Sequence, residues 1–280
     1  MPDRCLTERK NGGVTAFSGY RLAVQADLEG KGVLVTGAGG GIGGAVARAF
    51  AAEGAKVGVH YRSSRERAEA VANEIGGVAL QADLTVESEV DRLISSAVES
   101  LGRLDVLVAN AGDWPSRDET VWEMSLERWR ATVGANLDSV FLSCRAFLRH
   151  VATTRTGNIV IVGSTAGLIG EAGHTDYASA KGALSSGFLL SLKNEIVRIA
   201  PGGRVNAVCP GWTRTEMARE ALEDPAVEPR ITRTMALKQL GDPADVANAI
   251  VVLASDRLSR HVTGQVVTVA GGMEGRVLHD

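Results

Sequence analysis

Val33-Leu-Val-Thr-Gly-Ala-Gly-Gly-Gly-Ile-Gly43 joins a short apolar run to a glycine-rich turn. The next stretch, Gly43-Gly-Ala-Val-Ala-Arg-Ala-Phe-Ala-Ala-Glu53, carries apolar residues at helical spacing. Glycines allow a tight turn and bring backbone N–H groups close to an anion such as a pyrophosphate, whose charge then sits at a helix N-terminus. Two registers fit: Gly37, Gly41 and Gly43, or Gly39, Gly41 and Gly44. The first is preferred, because the second starts the loop two residues later after the strand. The competing reading is a merely flexible turn, and the strand before and helix after weigh against it.

Working outward, the same alternation repeats. Apolar, Val-rich runs stand at 33–35, 57–59, 78–80, 106–108, 159–162, 205–208 and 266–269. They are continuous rather than alternating, as in strands covered on both faces. Helical patterns lie between them, Ala244-Asp-Val-Ala-Asn-Ala-Ile-Val-Val-Leu-Ala254 being one. Strand–helix alternation implies a parallel sheet with right-handed crossovers. The expected fold is α/β: a single doubly wound Rossmann domain over 29–280, with a seven-stranded parallel sheet and helices on both faces. Residues 1–28 show no sustained periodicity and read as an irregular, flexible arm without the apolar stretch of a signal peptide.

The second strand ends in Val59-His-Tyr-Arg-Ser-Ser64. An NAD-selective turn usually offers Asp or Glu here to the ribose hydroxyl, and this chain has Tyr61, Arg62 and Ser63 instead. An arginine binds a 2′-phosphate through charge and paired donors, so NADP(H) is favoured. A solvated surface arginine is the alternative, and NAD(H) stays possible.

Thr175-Asp-Tyr-Ala-Ser-Ala-Lys181 places Tyr177 and Lys181 four residues apart, on one face of a helix. A cation beside a phenol eases its ionisation, which makes Tyr177 a plausible acid/base. A Tyr–Lys pair at this spacing also arises by chance. Its company gives it meaning: Ser164 lies thirteen residues upstream, at the end of the 159–162 run.

With these pieces assembled, the chain resembles the short-chain dehydrogenase/reductase family from about Gly30 to Gly272. Thr36-Gly-Ala-Gly-Gly-Gly-Ile-Gly43 matches the family's glycine loop, with Gly37, Gly41, Ile42 and Gly43 at its fixed positions. Asp83 and Leu84 match its adenine-contacting site, and Asn110-Ala111-Gly112 its central-strand motif. Asn136, Ser164, Tyr177 and Lys181 match its catalytic tetrad. Pro210, Gly211, Thr213 and Thr215 lie in Pro210-Gly-Trp-Thr-Arg-Thr215, which matches the turn at the nicotinamide end. Thr263-Gly-Gln-Val-Val-Thr-Val-Ala-Gly-Gly272 matches the closing strand, with Ala270 where many members carry Asp.

The resemblance implies hydride transfer between a nicotinamide cofactor and a small carbonyl or alcohol substrate. It gives Tyr177 the proton, Lys181 the tasks of lowering the phenol pKa and holding the nicotinamide ribose, Ser164 the carbonyl oxygen, and Asn136 a water leading to Lys181. It points to 3-oxoacyl thioester reductases and to sugar, steroid and polyol dehydrogenases. It also implies a homotetramer built through helices near 137–149 and 177–198. A nucleotide-binding regulator that lost its chemistry would show a broken tetrad, and this tetrad is whole.

The substrate cleft is expected from 113–120, 166–174 and 212–238. Trp114 and Trp212 offer an apolar wall. His174 either touches substrate or bonds a backbone group. The 214–238 stretch balances five basic against five acidic residues and so selects no substrate charge. Its Pro225 and Pro229 suit a jointed lid.

Net charge is −3 and pI about 6.0, which leaves no electrostatic footprint for nucleic acid or anionic membrane. No apolar run is long enough to span a bilayer. Cys5, Cys144 and Cys209 are widely spaced and show no metal-ligand pattern, so no metal is expected and a cytoplasmic location is.

Overall fold

A computed structural model describes residues 26–273. The strands are β1 (Gly32–Val35), β2 (Lys56–Tyr61), β3 (Val78–Gln81), β4 (Val106–Ala109), β5 (Asn158–Val162), β6 (Arg204–Pro210) and β7 (Val266–Val269). The helices are α1 (Gly41–Ala52), α2 (Arg65–Ile75), α3 (Glu87–Leu101), α4 (Leu126–Val133), α5 (Ser139–Thr154), α6 (Thr165–Ile169), α7 (Thr175–Ala183), α8 (Leu189–Ile199), α9 (Glu216–Leu222), α10 (Val227–Thr232) and α11 (Pro243–Ala254). All seven strands read from the sequence form one sheet, ordered β3-β2-β1-β4-β5-β6-β7, and every pairing is parallel.

Strand alternation sorts the core into two layers. Leu34, Leu107, Ile159 and Ile161 face one way and pack with α3, α5 and α8. Val33, Val35, Val106, Val108, Val160 and Val162 face the other and pack with α1, α2 and α11. Both faces are apolar because both are covered, which is why these strands read as unbroken runs. Of the expected arm over 1–28, residues 1–25 lie outside the described residues. Ala26 and Leu28 are buried in the same layer as Phe50 and Val57.

Strand order reverses direction between β1 and β4, so a crevice opens beyond the carboxyl ends of these two strands. Two long helices run beside it. α4 continues into α5 through a π-helical turn, Gly134–Asp138, and α7 into α8 through another, Leu184–Phe188. Such wide turns concentrate at functional sites. Among the described residues no helix is long and apolar enough to cross a membrane, and no cluster of three or more His, Cys, Asp or Glu could hold a metal ion.

Candidate active site

The crevice is a cavity of about 510 Å³. Its floor is the turn after β1. Helix α1 starts at Gly41, and no side chain caps its first turn. Gly37 and Gly41 have φ of +65° and +53°, conformations that L side chains resist. A Cβ on Gly43 would strike the Gly37 carbonyl and lie 2.6 Å from Asn110 Nδ2. The register of Gly37, Gly41 and Gly43 is thus the one with a steric reason behind it. A Cβ on Gly39 would meet only ordinary contacts.

Asn110 clamps this turn. Its Nδ2 donates to the carbonyls of Thr36 (2.9 Å) and Gly37 (3.3 Å), while Thr36 Oγ1 accepts from the N–H groups of Asn110 and Ala111, both at 2.9 Å. A second clamp is not legible in the sequence. His60 Nδ1 accepts from Gly37 N–H at 3.0 Å, so its Nε2 carries the proton toward Ala82 O, 3.1 Å away. Burial lowers His60 to about 4 and keeps it neutral, as this tautomer requires. Its position in Val59-His-Tyr-Arg is plain, but nothing in the sequence says that the ring turns inward.

The cavity wall beyond β2 holds Tyr61, Arg62, Ser63, Ser64 and Arg67. Arg67 is a second basic residue, one that no motif in the sequence marks. It stands on α2, five residues after Arg62, and neither arginine forms one of the ion pairs found among the described residues. Asp83 and Leu84 line the same end. Asp83 Oδ1 accepts from Thr85 Oγ1 (2.6 Å) and Thr85 N–H (2.9 Å), and these bonds lower its pKa.

At the opposite end stand Ser164, Tyr177 and Lys181. Ser164 is the N-cap of α6, accepting from Ala166 N–H at 3.1 Å, and its side chain also hydrogen-bonds Tyr177. Lys181 is buried, donates to Val162 O at 3.1 Å, and lies 5.7 Å from the Tyr177 ring centroid. The expected shared helix face is therefore present. The expected drop in the phenol pKa is not. Burial pushes Tyr177 up to about 12, the Ser164 bond pulls it down, and the charges of Glu171 and Asp113 push it further up. Burial also lowers Lys181 to about 8, so desolvation sets the direction in both groups. Lys181→Met is accordingly expected to raise the stability of the fold at neutral pH, because it removes a buried ammonium at the cost of one bond to Val162 O, while removing activity. An unfolding midpoint that stays put or drops would refute this.

Asn136 lies in the first π-helical turn and is fully buried. Its Nδ2 donates to the carbonyls of Asp113 (2.8 Å) and Thr132 (3.1 Å), and its Oδ1 accepts from Asp113 N–H (3.1 Å). The side chain thus fixes the chain after Asn110-Ala-Gly112 rather than facing the cavity. Gly112 lies between it and Lys181: a Cβ there would sit 2.6 Å from Asn136 Oδ1 and 3.1 Å from Lys181 Nζ.

Pro210, Gly211, Trp212, Thr213 and Thr215 all line the cavity, beside Met217, Ala218 and Ala221 on α9. Met217 is exposed and apolar, and nothing in the sequence marks it in advance. Trp212 also packs on the Ile231–Met235–Leu240 cluster. Trp114 reaches the cavity, edge-on to Tyr177 with ring centroids 4.7 Å apart. His174 does not line the cavity. It stacks behind Trp114 at 3.9 Å, and its Nε2 bonds Pro115 O at 2.8 Å. Of its two readings, the structure has the backbone bond.

Arg128 binds both loops around the site. It donates to Arg117 O (2.8 Å), Glu119 (2.9 Å) and Gly173 O (3.3 Å), and its Nε meets Asp176 at 3.1 Å. Asp176 is fully buried, accepts from Thr132 Oγ1 at 2.8 Å, and accepts the Tyr177 N–H at 2.9 Å. Its carboxyl is held below the ordinary range by the Arg128 and Thr132 bonds, against the opposing effect of burial.

Comparisons with known proteins place the chain among relatives. A family model described as "Enoyl-(Acyl carrier protein) reductase" matches residues 37–274. A 3-oxoacyl-(acyl-carrier-protein) reductase of Synechocystis sp. is 39% identical over 245 residues, covering 86% of this chain and 95% of that protein. The Escherichia coli K12 protein named 3-oxoacyl-(acyl-carrier-protein) reductase FabG is 36% identical over 249 residues, 88% of this chain and 98% of its own. A Staphylococcus aureus protein of that name is 36% identical over 248 residues, 87% and 98%.

Proposed function

The chain belongs to the short-chain dehydrogenase/reductase family of oxidoreductases, and from that premise we propose that it is a ketoreductase that uses NADPH to reduce a 3-oxoacyl thioester. The observation that carries this reading is the Ser164–Tyr177–Lys181 group lining one cavity together with the exposed Arg62 and Arg67. The glycine cradle fits a dinucleotide, since side chains at Gly37 and Gly43 would fill it. Gly37, Gly41, Ile42, Gly43, Asn110, Ala111 and Gly112 would line the pyrophosphate and nicotinamide path, Asp83 and Leu84 the adenine, and Pro210, Gly211, Thr213 and Thr215 the nicotinamide end. When bound, the cofactor supplies the hydride.

The chain's own residues do the rest. Ser164 holds the substrate oxygen and stabilises the negative charge that grows there. Tyr177, protonated throughout the neutral range, gives its hydroxyl proton to that oxygen. Lys181 has two N–H donors beyond the one on Val162 O, for the ribose and for relaying a proton back to the phenol. Asn136 keeps Asp113 and Gly112 in place behind Lys181. The family description and the relatives' names differ in substrate, an enoyl against a 3-oxoacyl group. Two hydroxyls, those of Ser164 and Tyr177, lining one cavity suit a C=O, whose oxygen needs a proton, and favour the second.

The proposal includes a single catalytic domain over 29–280, a cytoplasmic location and a homotetramer. Exposed Phe141 on α5 and exposed Leu190 and Val197 on α8 support association through these helices.

NADPH oxidation with an acetoacetyl thioester, with NADH in parallel, tests the function. An absence of turnover with either removes the thioester reading. Arg62→Ala and Arg67→Ala test the cofactor arm. Each is expected to lower the NADPH-over-NADH ratio of kcat/KM by about 10- to 100-fold, the worth of one charge-assisted hydrogen bond. A ratio unmoved in the double variant would place the 2′-phosphate elsewhere. An oxidative NAD-dependent alcohol dehydrogenase is the second reading, and it requires that result.

A further inference from the structure

We propose that Glu171 is a specificity-determining residue that selects substrates presenting an uncharged hydrogen-bond donor, a hydroxyl or an amide N–H, and rejects carboxylates. The inference rests on the oxidoreductase reading of the cavity and deepens it.

Glu171 follows α6 on the loop that leads into α7. It is half-buried and lines the cavity on the Tyr177 side. No hydrogen bond to its carboxyl is found among the described residues, in contrast to Glu119 and Asp176 nearby, which Arg128 holds. A half-buried carboxyl without a protein donor is an acceptor for whatever fills the space in front of it. Its charge is felt at the Tyr177 phenol, where the substrate oxygen must arrive, and so is that of Asp113. Burial raises the Glu171 pKa, His174 opposes that, and Asp118 adds to it.

Two carboxylates, Glu171 and Asp113, therefore bear on the reacting end of the cavity. An anionic substrate group entering beside Glu171 meets a like charge in a partly desolvated space, whereas a donor finds an unused acceptor. The balanced lid charges over 214–238 carry no such preference, so the selection falls to this loop.

Three ketones with one skeleton separate the possibilities: acetoacetate (anionic), methyl acetoacetate (neutral, without a donor) and acetoacetamide (neutral, with N–H donors). The parent protein is expected to rank them in kcat/KM as amide, then ester, then acid. Glu171→Gln should raise the acid-to-ester ratio at least about tenfold. Glu171→Asp, which keeps the charge, should leave acetoacetate last. Dissociation constants from tryptophan fluorescence, reported by Trp114 and Trp212, carry the same comparison without turnover. If none of the three is reduced but their binding follows this order, the proposed function fails and the role of Glu171 stands. Equal ratios in the parent and Glu171→Gln, or no binding of any of the three, overturn it.

Discussion

Tyr177→Phe lowers the turnover number by about 10³- to 10⁴-fold, the share of a positioned proton donor, while cofactor affinity changes little. The ring is retained, and with it the edge-on contact to Trp114 and the face beneath Lys181. Only the hydroxyl is lost, and with it the Ser164 bond and the proton destined for the substrate oxygen. Single-turnover rates and cofactor fluorescence titration separate the two effects. A variant within about tenfold of the parent would remove Tyr177 from the mechanism. The pH profile carries a second mark. With Tyr177 near 12 the phenol stays protonated through the neutral range, so it does not limit reduction there. Lys181, near 8, loses its charge first, and the alkaline limb of kcat in the reductive direction is expected to follow it. By linkage, the burial of this ammonium destabilises the fold below that pH. The penalty fades between about 8 and the ordinary 10.5, where the unfolded chain still binds a proton that the folded chain has released.

Arg128→Ala is expected to lower stability by about 3–5 kcal/mol, because it strands a buried carboxylate, Asp176, without its cation. The guanidinium also ties Arg117, Glu119 and Gly173 together, so the loops carrying Trp114 and Glu171 lose their common anchor. Turnover should fall alongside stability, since Asp176 also holds the N–H of Tyr177. Urea unfolding reads the first effect and steady-state kinetics the second. The pair Arg128→Met with Asp176→Leu, which removes both charges, should recover most of the stability but not the activity. A loss below about 1 kcal/mol in Arg128→Ala would mean that water reaches Asp176 and the pair is a surface one.

These two residues mark how differently the sequence discloses its parts. Tyr177 and Lys181 are four positions apart on one helix, and local periodicity relates them. The strands are legible for the same local reason: two covered faces demand unbroken apolar runs. The glycine register is legible because β1, the turn and α1 are contiguous. Arg128 and Asp176 are 48 positions apart, and their meeting depends on α4 and α7 lying side by side, which no periodicity encodes. His60 is in plain view, but its inward ring depends on Gly37 arriving from the neighbouring strand. The sign of the Tyr177 displacement cannot be had from the pair alone, and the expectation of a lowered pKa is wrong for that reason. Proximity of a cation is visible in a sequence, whereas the desolvation that outweighs it belongs to the packed interior. Glu171, on the loop before α7, and Met217, on α9, line the cavity from segments where sequence offers composition and little else.

The two wide turns bear on how chain length can vary in this lineage. A π-helical turn holds one residue more than an α-turn, and losing that residue lets the helix close without rotating its C-terminal half. A one-residue deletion within Leu184–Phe188 would therefore leave the Tyr177 face and the inner face of α8 in phase, and the site whole. The same deletion within Gly134–Asp138 would turn Asn136 out of its bonds to Asp113. A one-residue deletion is thus expected to be tolerated in the second turn and consequential in the first, though the two look alike in geometry.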